Sequence, residues 1–234
     1  MAEEQHPHAI LARAARYPYE APLHSFVQTG GRTVELPRLS EPDLDGRTAV
    51  LAYGANASPE VLARKLAALP DVPLPLIYAE LVNFDVVYSA HISPYGAVPS
   101  TLQRSPGTYA PVHVSYPTEE QLGVLSATEP NYELRELTGH DLHSEVGTEE
   151  PARLHAFVSR HGCLAIDDAE VALAAVEANP RRFPSMGELE VLEQVRHLLA
   201  PELDLERFVE SSLDPGLARS RTAVLRGNAL PLAE

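Results

Sequence analysis

Cysteine is nearly absent from this chain, because Cys163 is the only one among 234 residues. A single thiol excludes an internal disulfide and every structural zinc site that needs two or more thiolates. Chains without disulfides are typical of reducing compartments, so the sequence predicts a cytoplasmic protein. The opening residues MAEEQHPHAI lack the basic and apolar regions of a secretory signal. No apolar run approaches the roughly 20 residues of a membrane helix, and we therefore predict no membrane partner.

Basic residues are also few, with 18 Lys and Arg against 33 Asp and Glu, which gives a net charge of −15. A field of this sign repels polyanions, so non-specific nucleic-acid binding is excluded. Lys65 is the only lysine in the chain, and we attribute this scarcity to genome base composition.

Several motifs with known chemistry are missing, among them the Walker P-loop, G-x-G-x-x-G, H-E-x-x-H and G-x-S-x-G. Their absence argues against nucleotide, dinucleotide, zincin and α/β-hydrolase chemistry. The best metal candidate is the segment GHDLHSE with His140, Asp141 and His143. Because glycines flank this segment, we interpret it as a solvated loop, and we predict neither a metal nor a cofactor.

Hydrophobic periodicity predicts an α+β fold. The patterns indicate strands at 48–53, 81–88, 110–116, 132–137 and 152–158, and helices at 8–16, after Ser58, after Thr118, at 167–179, after Ser185 and at 203–213. This order lacks strict alternation of strands and helices, so a mixed or antiparallel sheet is favoured over a doubly wound one. We divide the chain into an N-terminal extension (1–47), a core (48–160) and a helical C-terminal extension packed on the core (161–234).

The segment VLAYGANASPE places a strand, a glycine turn and a helix start in direct succession. Ser58 is a typical N-cap, and Pro59 fits the first helical position. Backbone N–H groups in such a turn can bind a carboxylate or a phosphate through their partial charges. This local site is compatible with the negative net charge, since nearby donors outweigh a screened long-range field.

Glu129 is the candidate general base. It follows Leu122 by seven residues and Leu125 by four, so it shares their apolar stripe if the helix extends that far. A carboxylate on a buried face would have a raised pKa and could exchange protons near neutral pH. The alternative is that Pro130 ends the helix early and leaves Glu129 in solvent.

Three segments in one order bear a family resemblance. They are Tyr53–Gly54–Ala55–Asn56, then Val98–Pro99–Ser100 with Ser105–Pro106–Gly107, and then Glu129–Pro130–Asn131–Tyr132. Over residues 48–160 the chain resembles the gamma-glutamylcyclotransferase-like family, which has a Tyr-Gly-Ser-Asn loop and a downstream glutamate. Ala55 stands where the family has serine.

The resemblance implies a small mixed β-barrel flanked by helices, with a substrate cavity at one end. It implies that Tyr53, Gly54, Ala55, Asn56 and Tyr132 bind a small γ-glutamyl substrate. Glu129 would act as general base and acid while the substrate amine attacks its own γ-carbonyl, releasing 5-oxoproline and an amine or amino acid. This chemistry needs no metal or cofactor, and a homodimer is compatible with the sequence.

Two alternatives stay open at this point. The same fold could serve as a non-catalytic module that binds a small ligand or a partner, which the replacement of serine by Ala55 and the two extensions favour. An amide hydrolase that uses Cys163 as its nucleophile is the other, although a lone cysteine is more often a buried filler.

Overall fold

The computed structural model describes residues 6–37, 43–144 and 150–232, so parts of the predicted N-terminal extension lie outside it. The protein has an α+β fold, as the sequence predicts. The helices in the described ranges are α1 (Pro7–Ala15), α2 (Pro59–Lys65), α3 (Glu119–Ala127), α4 (Glu188–Leu199), α5 (Leu205–Ser211) and α6 (Pro215–Gly227). The strands are β1 (Phe26–Thr29), β2 (Arg32–Glu35), β3 (Val50–Ala52), β4 (Leu74–Tyr88), β5 (Ser100–Ser115), β6 (Tyr132–Glu136), β7 (Asp141–Ser144), β8 (His155–Ser159), β9 (Ala165–Ile166), β10 (Ala169–Glu170), β11 (Ala172–Leu173) and β12 (Ser185–Met186).

The main sheet is built around β4 and β5, which form a long antiparallel pair. Its hydrogen-bonded order is β12-β11-β4-β5-β3-β8-β6, with β1 and β7 also on β4. A barrel closes only when its two terminal strands pair with each other. In the described part of the chain this path stays open between β12 and β6, so the expected closed barrel is not found.

The tripeptide Ser105–Pro106–Gly107 has a composition typical of a turn, but these residues lie inside β5. The strand absorbs them with an irregularity, since the register with β4 shifts between Val82 and Phe84. Asn83 adopts a positive φ of 69° at this point. Its side-chain oxygen accepts a hydrogen bond from the Gly107 N–H at 3.0 Å. A bulge therefore replaces the turn that Pro and Gly suggested.

β4 is more buried than its alternating pattern predicts. Residues 82–86 alternate apolar and polar side chains, which is typical of a strand with one face in solvent, but the Asp85 side chain has 0% exposure. It forms an ion pair with Arg181, whose Nε lies 3.1 Å from Asp85 Oδ2. The segment that carries Arg181 therefore covers the face that the alternation assigned to solvent.

The helix predicted at 167–179 is wrong. Asp167 and Asp168 have positive φ values of 52° and 62°, which suit the two central residues of a tight hairpin and not a helix cap. The hairpin joins β9 to β10. The following residues are good helix formers, but they form β11 instead. Pairing of β11 with β4 overrides their helix propensity.

The C-terminal helices differ from prediction in their boundaries. The N-cap of α4 is Gly187 and not Ser185, and the Glu190 carboxylate accepts from the Gly187 N–H at 2.7 Å. Asp214 was expected to end the last helix, but it caps a further helix, α6, by accepting from the N–H groups of Gly216 and Leu217.

Both extensions share the hydrophobic core with the main sheet. α1 contacts α5 and α4, and Ala14 and Phe208 belong to the same buried cluster as the inner side chains of β4 and β5. The helices after residue 187 therefore pack on the sheet together with the N-terminal segment. None of the helices in the described residues has the length and apolar character needed to cross a bilayer.

Candidate functional site

A cavity of about 220 Å³ opens at the end of β3, where the Tyr53–Asn56 loop begins. Its lining brings together every site residue predicted from the sequence: Tyr53, Gly54, Ala55, Asn56, Glu129 and Tyr132. It also includes residues to which the sequence assigned no role in catalysis or binding, among them Tyr17, Lys65, His91 and Ser100.

The loop is a tight turn whose N–H groups remain available. A 3₁₀ turn spans Ala55–Ala57, and its first hydrogen bond runs from the Ala57 N–H to the Gly54 carbonyl at 2.9 Å. The N–H groups of Ala55 and Asn56 precede that bond, and they donate to no acceptor among the described residues. Ser58 holds the predicted N-cap position of α2, but its side chain forms no capping bond. The loop therefore offers free backbone donors at the cavity.

Position 54 has no room for a side chain, so it requires glycine. A Cβ at this position would lie 2.6 Å from Tyr17 Oη and 2.7 Å from Ser100 Oγ. These distances are far below van der Waals contact, so a side chain would displace both hydroxyl groups. The glycine thus lets the loop approach the Tyr17 and Ser100 hydroxyls.

Glu129 reaches the cavity by a route that neither sequence alternative described. α3 ends at Ala127 with Thr128 as its C-cap, so the helical stripe does not extend to Glu129. The chain nevertheless continues in a turn, in which the Glu129 N–H donates to the Ser126 carbonyl at 3.1 Å. The Glu129 side chain is 16% exposed and lines the cavity.

One oxygen of Glu129 is held by two donors. Oε1 accepts from Asn56 Nδ2 at 3.0 Å and from Lys65 Nζ at 2.5 Å. Lys65 Nζ also donates to Asn56 Oδ1 at 2.9 Å, which closes a triangle of hydrogen bonds. Oε2 accepts from no described residue. The carboxylate is therefore fixed through one oxygen and has the other one free.

Lys65 was overlooked as a site residue, although the sequence carried a signal. It is the only lysine in a chain whose other basic side chains are all arginine. It lies in the last turn of α2, and its side chain is 15% exposed beside Glu129. A compact ammonium group binds two close acceptors that a planar guanidinium would fit less well.

The Ser100 side of the cavity is made of uncharged groups. Tyr132 Oη donates to the Ser100 carbonyl at 2.8 Å, and the Ser100 N–H donates to Tyr17 Oη at 2.7 Å. Tyr17 Oη and Ser100 Oγ lie 2.6 Å apart. Burial raises the pKa of Tyr17 and of Tyr132 well above the usual range of a phenol, so both are neutral.

Tyr53 anchors the loop to a neighbouring strand. Its hydroxyl donates to the Phe157 carbonyl in β8. Burial is the main cause that raises the pKa of Tyr53 above its usual range. The residue therefore acts as a structural support on the cavity wall and carries no charge.

Cys163 lies elsewhere. Its side chain is fully buried and contacts the Leu102 carbonyl with Sγ at 3.8 Å. Burial raises the pKa of the thiol to about 12, which opposes the thiolate that a nucleophile needs. Cys163 is not part of the cavity lining.

Within the candidate metal segment GHDLHSE, Asp141–Ser144 forms β7 against β4 and is not a loop. Glu145 lies outside the described residues. His140 Nε2 lies 3.6 Å from a Glu150 oxygen, and His143 Nε2 lies 3.7 Å from an Asp141 oxygen. Within the described residues, no group of three or more His, Cys, Asp or Glu side chains is arranged to hold a metal ion.

Comparison with known proteins adds no assignment. No model of a protein family matches the chain, and a search of curated protein sequences found no similar protein. The functional argument therefore depends on the geometry of the site and on the sequence resemblance.

Proposed function

We propose that this protein is a cyclotransferase that cleaves a γ-glutamyl amide and releases 5-oxoproline. The observation that carries the proposal is the position of Glu129, which lines the same cavity as the Tyr53–Asn56 loop, accepts a hydrogen bond from Asn56 through Oε1 and keeps Oε2 free. The order of the motifs resembles that of the gamma-glutamylcyclotransferase-like family, and the α+β fold agrees with such an assignment.

Substrate binding would use the loop. The free N–H groups of Ala55 and Asn56 can donate to the α-carboxylate of a γ-glutamyl group. The α-ammonium group would then lie near Glu129, where Oε2 can accept a hydrogen bond. Since the chain carries −15 overall, these local donors are what allow an anionic group to bind.

The reaction needs one proton acceptor and a fixed geometry. Glu129 takes a proton from the α-ammonium, and the freed amine attacks the γ-carbonyl carbon to form the ring C–N bond. The original amide C–N bond then breaks as Glu129 delivers this proton to the leaving nitrogen. The second proton of the ring nitrogen passes by way of Glu129 to the released amine, so the products are the lactam and an ammonium. Because the nucleophile belongs to the substrate, orientation within the cavity supplies much of the acceleration.

A panel of γ-glutamyl amines, dipeptides and conjugates tests this proposal, with 5-oxoproline measured by mass spectrometry. We expect release from at least one compound and a loss of about 10²–10⁴-fold in Glu129→Gln, because proton transfer is removed. Glu133→Gln is the matched control, since Glu133 lies nearby on β6 and is ion-paired with Arg135 on the surface. Equal rates in wild type and Glu129→Gln would reject the role of Glu129.

A second candidate is a non-catalytic module for a carboxylated ligand. The observation that favours it is the ion pair of Lys65 with Glu129 at 2.5 Å, because a cation already occupies the carboxylate. Thermal stabilisation by γ-glutamyl compounds without 5-oxoproline release would support this module. Turnover of any compound in the panel rejects it.

A further inference from the structure

His91 is a buried imidazole in the cavity wall that the proposed reaction does not use. It lies in the connection between β4 and β5, is 2% exposed and lines the cavity. Its ring contacts the Tyr132 ring edge-on, with the centroids 5.5 Å apart. This packing fixes the plane of the imidazole.

A chain of hydroxyl groups holds one ring nitrogen. His91 Nδ1 lies 2.6 Å from Ser89 Oγ, and Ser89 Oγ lies 2.6 Å from Ser159 Oγ. Ser159 Oγ also accepts from the backbone N–H of His161 at 3.0 Å. All of these contacts are buried or partly buried, so an unused hydroxyl proton would be costly.

Counting the hydroxyl protons shows which group donates and which accepts in each of these hydrogen bonds. The only described acceptor for the Ser159 hydroxyl proton is Ser89 Oγ. Ser89 then has its own proton left, and it donates to His91 Nδ1. The reverse direction would leave the Ser159 proton without an acceptor. His91 Nδ1 is therefore an acceptor, and the ring proton is on Nε2.

The imidazole is also uncharged. Burial, and secondly the neighbouring His161 ring at 4.9 Å, lower the pKa of His91 to about 3. No described residue forms a hydrogen bond with Nε2. The cavity thus contains a neutral N–H donor whose orientation is set by packing and by the hydroxyl chain.

We propose that the Nε2–H of His91 binds the carbonyl oxygen of a neutral amide or lactam ligand in the cavity. The choice of oxygen rests on the proposed function, in which it is the γ-carbonyl oxygen that gains negative charge during ring closure. A neutral donor suits this task because it binds the uncharged carbonyl and is already oriented toward the charge that develops. An imidazolium would instead compete with the substrate α-ammonium for Glu129.

The tautomer is measurable without any substrate. In long-range ¹H–¹⁵N NMR spectra of the ¹⁵N-labelled ligand-free protein, protonated and unprotonated ring nitrogens give distinct shifts, and His91→Gln identifies the His91 signals by their loss. We expect a protonated Nε2 and an unprotonated Nδ1, unchanged from pH 6 to pH 8. A protonated Nδ1, or titration of the ring in this range, overturns the inference.

Carbonyl binding is tested by titration with N-methyl-2-pyrrolidone, which accepts hydrogen bonds but has no N–H. We expect a saturable shift of the His91 Nε2–H signal. Absence of this shift up to 100 mM overturns the inference, whatever other signals do.

Activity separates this inference from the proposed function. We expect His91→Leu to lower 5-oxoproline release about 10²-fold and His91→Gln, which retains an N–H donor, to recover most of it. Release by wild type that is equal in His91→Leu overturns the role of His91 only. A carbonyl-dependent shift in a protein that releases no 5-oxoproline contradicts the proposed function only.

Discussion

The two sides of the cavity differ in how they carry polarity. Around Glu129, a carboxylate, an ammonium and an amide form a charged triangle, and the Lys65 and Glu129 side chains are 15% and 16% exposed. Around Ser100, the polar groups are hydroxyls and a neutral imidazole, and Tyr17, Ser100 and His91 are at most 5% exposed. Desolvation costs less for the partly exposed charges around Glu129. The more deeply buried polar groups around Ser100 are uncharged and form hydrogen bonds with one another.

This difference explains how one site can bind a zwitterionic group and an adjacent amide. The charged side and the loop N–H groups suit the α-ammonium and the α-carboxylate of the proposed substrate. The neutral side suits the amide, whose carbonyl needs a donor that does not carry a full charge. Substitutions at the junction of the two sides should have larger effects than substitutions on the charged side. Substitutions next to the neutral side should have the smallest effects.

Among Gly54→Ala, Lys65→Met and Glu188→Gln, the first should have the largest effect, because Gly54 lies where the two sides meet. The added Cβ would displace the hydroxyls of Tyr17 and Ser100, which lie at 2.6 and 2.7 Å from it. We expect a loss of about 10²-fold in 5-oxoproline release and about 1–3 kcal/mol in unfolding free energy. Denaturant unfolding and steady-state kinetics measure the two effects.

Gly123→Ala is the matched control, since a Cβ there meets no atom within 4 Å and the residue lies in α3. We expect a gain of about 0.5–1 kcal/mol from helix propensity and unchanged kinetics. Equal stability changes in the two variants would show that the close approach at Gly54 is unimportant.

Lys65→Met should affect the charged side alone. Removal of the ammonium leaves Glu129 with Asn56 as its only described donor. We expect kcat to fall about tenfold to a hundredfold, because charge-assisted hydrogen bonds contribute about 1.5–3 kcal/mol. Lys65→Arg should recover part of this loss by restoring the charge.

Arg153→Met serves as the control for Lys65→Met, because Arg153 forms an ion pair with Glu136 that is exposed on both sides. Such pairs contribute little to stability or function. A Lys65→Met enzyme with wild-type kcat, or an Arg153→Met enzyme as impaired as Lys65→Met, would contradict the importance of the charged triangle.

Glu188→Gln should have the smallest effect, and it should appear as a change in pH dependence. Glu188 in α4 is 5% exposed, and its Oε1 accepts from the N–H of Val98 at 2.7 Å, two residues before Ser100. Its Oε2 is buried and has no hydrogen-bond partner in the part of the chain that the structure describes. Burial raises the pKa of this carboxyl well above its usual value, so in the folded protein the proton stays bound to a higher pH than in an exposed glutamate.

The sign of the pH effect follows from this protonation. The unfolded chain releases the proton near the ordinary glutamate pKa, so the folded state binds more protons above that pH. Stability is therefore highest below about pH 4 for this group, and it falls as pH rises toward the folded-state pKa. Glutamine resembles the protonated acid and has no such dependence.

We expect thermal unfolding to show Glu188→Gln gaining stability relative to wild type between pH 5 and pH 8. The slope of the difference is at most about 1.4 kcal/mol per pH unit. Glu177→Gln, at an exposed position, should leave the pH profile of wild type unchanged. Parallel profiles for wild type and Glu188→Gln would refute the buried, protonated carboxyl.

Local signals in the sequence predicted the elements whose determinants are local. α3 starts after Thr118 as predicted, and both hydrogen bonds of a Thr118–Gln121 capping box are present. The strand, glycine turn and helix around Tyr53–Asn56 also follow the prediction. In each case the decisive contacts lie within a few residues of one another.

Predictions failed where distant contacts decide the structure. The segment after Asp168 is rich in alanine and glutamate, but pairing of β11 with β4 makes it extended. The helical stripe placed Glu129 correctly near the interior for the wrong reason, since α3 ends before it. The contacts that place Lys65 and His91 in the site are distant in the chain, since Lys65 pairs with Glu129 and the His91 ring packs on the Tyr132 ring.

The most direct measurement of the central claim is the isotopic content of the product formed in H₂¹⁸O. If the substrate amine is the nucleophile, mass spectrometry should show 5-oxoproline without ¹⁸O, released together with the free amine. Glutamate that carries one ¹⁸O atom would show instead that water attacks the γ-carbonyl. That result would contradict intramolecular cyclisation as the chemistry of this cavity.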